Sequence, residues 1–135
     1  MKIIKFTVLT LVALILLSCL FSCGVSMEKI EKRAQKEGYT FERVSDETLA
    51  ARNEKFDRAT NGAGDIISAA VLEKNGKSIE VNEFDTVKAA RAYVKHLETL
   101  MPFLDPMHGE AAFKDIKRHG RIVFTGDGDM IKELW

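Results

Sequence analysis

The chain has 135 residues, of which 46% are hydrophobic and 30% charged, and its 20 basic and 20 acidic side chains balance at neutral pH. This length predicts one domain, and the balanced charge argues against nucleic-acid binding, which needs a basic face. The two cysteines of the sequence, Cys19 and Cys23, both lie near its amino terminus. Their position excludes a disulfide framework, a thiolate metal site and a cysteine nucleophile from residues 24–135.

An apolar leader opens the chain and contrasts with the charged sequence after it. Lys2 and Lys5 are followed by twelve uncharged residues, 6–17, and no acidic residue precedes Cys23. A basic start, an apolar middle and small residues at the end are typical of a secretory signal peptide. The alternative is an uncleaved membrane anchor, because the uncharged run over residues 6–27 is long enough to span a bilayer.

The end of the leader reads Leu20-Phe21-Ser22-Cys23-Gly24 and resembles the lipobox of bacterial lipoproteins. The lipobox has an aliphatic residue three positions before the cysteine and a small residue just before it, which here are Leu20 and Ser22. Phe21 is bulkier than the family usually has. The resemblance is confined to this end of the chain. It implies that a diacylglycerol is attached to the Cys23 thiol, that the leader is cut off before Cys23, and that the new amino group is acylated, as with palmitate.

The resemblance sets the expected layout of the protein. Residues 1–22 are a cleaved signal peptide, residues 23–26 a lipid-anchored tether and residues 27–135 one small domain. Because two or three acyl chains hold a protein stably on a bilayer, we expect an extracytoplasmic location on the bacterial cell membrane or outer membrane. The segment Leu16-Leu17-Ser18-Cys19 also fits the lipobox, so Cys19 is the alternative site. Cys23 is preferred because the apolar run continues past Cys19.

Capping residues and hydrophobic spacing predict the elements that follow. In chain order they are a helix at 27–37 capped by Ser26, a strand at 39–44, a helix from Ser45 to about Ala59, strands at 65–74 and 78–84, a helix at 87–101 that Pro102 ends, a loop at 103–109, an ambiguous helix or strand at 110–118, a strand at 121–125 and a helical turn at 130–134. The firmest feature is the hairpin at Asn75-Gly76, since both residues tolerate the positive φ of a tight turn.

The order of these elements predicts an α+β domain with a ferredoxin-like βαββαβ antiparallel sheet and helices on one face, plus an amino-terminal helix and a short carboxy-terminal helix. The second half also resembles small bacterial lipoproteins of unassigned role, which carry no activity to transfer. Three segments bear this likeness: Glu83-Phe84-Asp85, Ala89-Ala90-Arg91-Ala92 and Ile122-Val123-Phe124-Thr125-Gly126.

Two glycine-rich segments could bind a ligand, and each has a simpler explanation. Gly126-Asp127-Gly128-Asp129 could hold a cation or phosphate, but it lacks the spacing of an EF-hand loop. It is better explained as a turn in which Asp129 caps the last helix. Gly62-Ala63-Gly64-Asp65 precedes a strand, whereas a phosphate-binding loop follows one. We therefore predict no metal and no cofactor at either segment.

Isolated residues give no catalytic constellation. His96, His108 and His119 lack the spacing of metal ligands, and Ser78 lacks the second glycine of a nucleophile elbow. We predict no catalytic residue and expect a non-enzymatic lipoprotein of the cell envelope that binds another envelope protein or serves in assembly. The alternative is a ligand-binding or sensory module that uses the open face of the sheet, lined by Tyr39, Phe41 and Phe124. A small envelope enzyme is the least favoured alternative.

Overall fold

A five-stranded antiparallel sheet forms the centre of the fold. The computed structural model describes residues 25–108 and 115–135, except for the side chains of residues 102–108, so Cys19, Cys23 and the rest of the leader lie outside the described residues. The elements in chain order are α1 (Met27–Lys36), β1 (Thr40–Arg43), α2 (Asp46–Thr60), β2 (Ile66–Lys74), β3 (Lys77–Phe84), α3 (Val87–His108), β4 (Asp115–His119), β5 (Ile122–Gly126) and α4 (Gly128–Leu134). None of these helices has the length and apolar character needed to cross a membrane.

Local sequence signals explain where most elements begin. The Ser26 and Ser45 side chains each accept a hydrogen bond from the main-chain N–H three residues on, at the starts of α1 and α2. The Thr86 hydroxyl does the same for α3. Asn75 and Gly76 have φ values of 54° and 75° and turn β2 into β3. The caps predicted at Ser26 and Ser45 and the hairpin are confirmed.

The strand order is β1-β2-β3-β5-β4, and all neighbouring strands are antiparallel. This confirms the α+β class, but the order is not that of a ferredoxin-like sheet. The predicted order assumed that α2 makes a parallel crossover between β1 and β2, as a helix between strands often does. In the structure β1 instead pairs antiparallel with β2, with Phe41 opposite Leu72. The order of helices and strands along the chain does not determine whether two strands joined by a long connection run parallel or antiparallel.

Two boundaries near the carboxy terminus also differ from expectation. The α3 helix continues past Pro102 to His108, so the expected stop and the loop at 103–108 are wrong. The fixed φ of proline is compatible with a helix, and its cost is a lost N–H bond and crowding of the preceding turn. Within the ambiguous 110–118, residues 115–118 belong to the strand β4, which a turn at Gly120 joins to β5; residues 110–114 lie outside the described part.

Helices cover both faces of the sheet, whereas the sequence predicted helices on one face. The α1–α4 face buries Met27, Ile30, Ala34, Tyr39, Ala70, Leu72, Ile79, Val81, Ile122, Phe124, Met130, Ile131 and Leu134. The α2–α3 face buries Phe56, Ile66, Ala69, Phe84, Ala89, Ala90 and Val123. Side chains alternate between the faces along β3, so Ile79 and Val81 lie under α1 and α4 while Phe84 lies under α2 and α3. The helices α1 and α4 thus cover the sheet face that the prediction left without helices.

Candidate functional site

A groove of about 710 Å³ lies between α1 and the end of α4. We call it the α1 groove. Its rim and ends are formed by Val25, Lys29, Lys32, Arg33, Lys36 and Trp135. Ile30 and Leu134 also line it, and both belong to the buried cluster of the α1–α4 face. The groove therefore has an apolar base and a cationic wall.

The cationic wall follows from helical spacing. Residues three and four apart share a helix surface, so Lys29, Lys32, Arg33 and Lys36 form one exposed stripe beside the stripe of α1 that packs on the sheet. Among the described residues, no Asp or Glu side chain lines the groove. In the part of the chain that the structure describes, neither Lys32 nor Lys36 takes part in an ion pair. Like charges four residues apart destabilise a helix slightly, so α1 forms in spite of this clustering.

The acidic residues of α1 point away from the groove. Glu31 accepts a hydrogen bond from Arg43 of β1, with 3.2 Å between Oε2 and Nη2. The pair belongs to the rim of the sheet, because neither residue lines the groove. The helix therefore divides its charges, with an anion directed at β1 and its cations at the groove.

A tryptophan closes one side of the groove. The Nη1 of Arg33 donates hydrogen bonds to the main-chain oxygens of Leu134, at 3.5 Å, and Trp135, at 3.1 Å. The indole ring packs edge-on against His119, with 4.0 Å between the ring centroids. Trp135 is nevertheless 44% exposed, and it is the single tryptophan of the chain. Arg33 and His119 hold this large amphipathic ring beside the lysines.

A smaller cavity of about 240 Å³ lies on the opposite face, between α2 and α3. Two charged residues of its lining, Arg52 and Glu80, pair with each other, with 2.7 Å between Arg52 Nη1 and Glu80 Oε1. The side-chain amide of Asn82 donates a hydrogen bond to the same Glu80 oxygen at 2.9 Å. Burial and then the Glu80 charge raise the pKa of Tyr93 to about 12, so its phenol is neutral at physiological pH. The side-chain oxygen of Asn82, Oδ1, is buried without a hydrogen-bond partner among the described residues.

The structure separates two of the three histidines that the sequence singled out. His96 borders the α2–α3 cavity and His119 borders the α1 groove, on opposite faces of the sheet. The side chain of His108 lies outside the described residues. Across residues 25–108 and 115–135, no group of three or more His, Cys, Asp or Glu side chains could hold a metal ion.

The Gly126–Asp129 turn holds a helix cap, as expected, but the capping residue is Asp127 and not Asp129. The Asp127 Oδ1 accepts hydrogen bonds from the main-chain N–H groups of Asp129 and Met130, each at 3.1 Å. Asp127 precedes the first helical residue, where a carboxylate oxygen reaches the free amides, while Asp129 lies inside the first turn. The Met130 amide and then the nearby Lys77 ammonium lower the pKa of Asp127.

The sheet face proposed from sequence as a ligand platform is covered. Phe124 is fully buried and Tyr39 nearly so, in the cluster formed with α1 and α4, and Phe41 packs against that cluster. The Tyr39 hydroxyl donates a hydrogen bond to the Glu133 carboxylate of α4. Burial and this bond together raise the pKa of Tyr39. These side chains are therefore part of the core.

Sequence reasoning missed the α1 groove. The spacing of the four cations was visible in the sequence, but it was interpreted only through the apolar stripe beside it. The approach of Trp135 was not visible, since 102 positions separate it from Arg33. Comparison of the chain with protein-family models, with curated proteins and with solved structures gave no match. The function must therefore be argued from the chain's own residues.

Proposed function

We propose that this chain is a lipid-anchored, non-enzymatic protein of the bacterial cell envelope whose domain binds a partner at the membrane through the α1 groove. The observation that carries the proposal is the place of Val25. It lines the groove, and one residue separates it from Cys23. Because an extended residue spans at most about 3.6 Å, the two Cα atoms are no more than about 7 Å apart. A lipid on Cys23 therefore keeps the groove at the bilayer surface.

The chemistry of the two concavities supports binding over catalysis. The α1 groove offers cations, an aromatic ring and apolar side chains, and its described lining includes no Asp or Glu side chain. In the α2–α3 cavity Arg52 and Glu80 neutralise each other, and Lys55 adds a second cation to the lining. Covalent catalysis needs a nucleophile next to a base that activates it, and the described lining residues of neither concavity supply that pair. Both surfaces suit recognition.

A second candidate is a small polar ligand in the α2–α3 cavity. The observation that favours it is the cavity lining, which places the polar side chains of Arg52, Glu80 and Tyr93 among apolar ones. The cavity volume of about 240 Å³ is slightly below the usual size of small-molecule sites. This keeps ligand binding second to membrane-surface binding.

Mass spectrometry of the mature amino terminus tests the proposal. The full chain is expressed in a bacterial host and extracted from its membranes, together with Cys23→Ala and Cys19→Ala variants. We expect the mature protein without substitutions to begin at Cys23 and to carry a diacylglycerol and an acyl chain. Cys19→Ala should give the same product, and Cys23→Ala should accumulate with its leader. A retained leader without lipid, or a product that begins at Cys19, would contradict the assignment.

A further inference from the structure

We infer that the α1 groove docks on anionic phospholipid headgroups of the membrane that carries the protein, with the Trp135 ring at the interface. The inference rests on the proposed function for its location and adds the chemistry of the partner. It assigns a binding role to the cationic stripe of α1 and to a tryptophan that the fold holds beside it.

Charge complementarity is the first support. Residues 23–135 contain 20 acidic and 18 basic residues, so with the four groove cations set aside acidic residues outnumber basic ones by 20 to 14. The domain as a whole is thus weakly acidic, and four of its 18 basic residues lie together on the groove that Val25 also lines. An anionic bilayer attracts this surface and repels the remainder, which orients the domain with α1 against the headgroups.

The tryptophan is the second support. Indole rings prefer the membrane–water interface, where one part of the ring contacts apolar chains and the N–H reaches water or headgroups. Trp135 is exposed next to the lysines and is braced by His119 and by the Arg33 hydrogen bonds. A preoriented aromatic side chain loses little conformational freedom when it binds. Lysines flanking a tryptophan are the composition expected of a surface that lies on a lipid interface.

Position favours lipid over an acidic protein as the partner. The short tether from Cys23 to Val25 holds the groove beside headgroups that are present at high local concentration, so docking is effectively intramolecular. The groove is also lined by exposed lysines that have flexible stems. Such side chains suit a fluid array of phosphates, whereas rigid bidentate recognition of one carboxylate would favour arginine. An acidic protein segment is the competing outcome of the test.

Fluorescence of the single tryptophan provides the experiment. The full chain is reconstituted into vesicles of phosphatidylcholine alone or mixed with phosphatidylglycerol, each with and without brominated acyl chains that quench nearby indoles. We expect blue-shifted, quenched Trp135 emission in the anionic vesicles, reversed by high salt. Lys32→Ala and Lys36→Ala should each lower the docked-to-free ratio about fivefold. Lys88→Ala with Lys95→Ala, a pair of exposed α3 lysines on the other face, should leave the ratio unchanged.

Three results would overturn the inference. These are equal emission in the two kinds of vesicle, equal effects of the α1 and α3 lysine pairs, and an emission shift caused by acidic peptide but not by phosphatidylglycerol. Mass spectrometry of the same reconstituted samples separates this inference from the proposed function. If Cys23 is unmodified and the lipid-dependent quenching persists, the anchor assignment fails and the docking surface stands. If Cys23 is acylated and quenching is absent, the reverse holds.

Discussion

The two concavities, one on each face of the sheet, differ in how their charged side chains are paired. On the α2–α3 face the Arg52 guanidinium meets Glu80 at 2.7 Å, and both side chains are about two-thirds buried. On the α1–α4 face the cations of α1 line an open groove, and among the described residues no Asp or Glu side chain lines it. Charge that is paired inside the fold serves the fold, while Lys32 and Lys36, which form no ion pair among the described residues, are available to another molecule. This difference is the reason that we propose binding on the side of α1.

The largest expected effect on stability comes from the side chains buried against the sheet that the two faces share. Phe124 and Phe84 are both fully buried, one on each face, and each change to alanine should lower the free energy of unfolding by about 3–5 kcal/mol. Because one sheet joins the two clusters, we expect each variant to unfold in a single transition in urea, followed by circular dichroism of the full chain in detergent. A variant that loses only the helices of one face at low urea would show that the faces unfold independently.

The next effect lies at the edge of the α1–α4 face. Gly126 has a φ of +133°, and a Cβ there would lie 2.6 Å from the Ser78 main-chain oxygen. Gly126→Ala combines backbone strain with overlap and should cost about 2–6 kcal/mol. Gly120→Ala is the control, since its φ is +61° and no atom lies within 4 Å of the added Cβ; it should cost about 1–2 kcal/mol. Equal losses of melting temperature would contradict the close approach.

These comparisons also show what the sequence could predict. Caps and tight turns are encoded within a few residues, so Ser26, Ser45 and the Asn75-Gly76 hairpin were assigned correctly. Strand order is set by long-range packing. The sequence of α2 gave no local sign that the chain returns with β2 antiparallel to β1.

The candidate site was less predictable than the fold. The leader motif around Cys23 predicts an anchor from sequence alone, and that prediction stays untested by the described residues. The groove is a tertiary feature, because it forms only when α4 brings Trp135 to the flank of α1. The prediction placed the α4 cap at Asp129, two positions after the actual cap Asp127, because the choice of cap depends on where the preceding strand ends. Local patterns find residues, and tertiary packing decides which of them meet.

A smaller effect on stability tests the ion pair between Arg52 and Glu80 on the α2–α3 face. Arg52→Ala leaves Glu80 with only the Asn82 amide, and because the pair is partly exposed we expect a loss of about 1 kcal/mol. Arg58→Ala is the control, since Arg58 and Glu54 form a pair with mostly exposed side chains and should contribute under about 0.5 kcal/mol. Urea midpoints of the two variants measure the difference. The comparison fails if Arg58→Ala is the more damaging change.

Acid conditions should weaken the α1–α4 face through the α4 cap. The capping amides lower the folded-state pKa of Asp127 below its ordinary 3.8. The stabilisation is therefore fully present above pH 3.8 and is lost as pH falls through the lowered folded pKa. Asp127→Asn should show a smaller decline in melting temperature over this acidic range. An unchanged decline would show that Asp127 does not contribute to acid sensitivity.

The smallest stability change should come from the groove itself. Lys32→Ala with Lys36→Ala removes a like-charge pair four residues apart on α1 and should leave stability unchanged or raise it by about 0.2–0.5 kcal/mol. The melting temperature should therefore stay at or slightly above that of the unmodified chain, even though lipid docking is weakened. A marked loss of stability would mean that these lysines support the fold, and the contrast between the two faces would then disappear.

Lysine footprinting on the membrane tests this contrast most directly. The full chain in vesicles of neutral or anionic phospholipid is acetylated with a water-soluble reagent, and modification at each lysine is read by mass spectrometry. We expect Lys32 and Lys36 to be labelled more slowly on the anionic vesicles, and Lys88 and Lys95 on α3 to be labelled equally on both. Equal labelling of Lys32 and Lys36 on the two kinds of vesicle, or protection of the α3 lysines instead, would contradict a bilayer-facing α1.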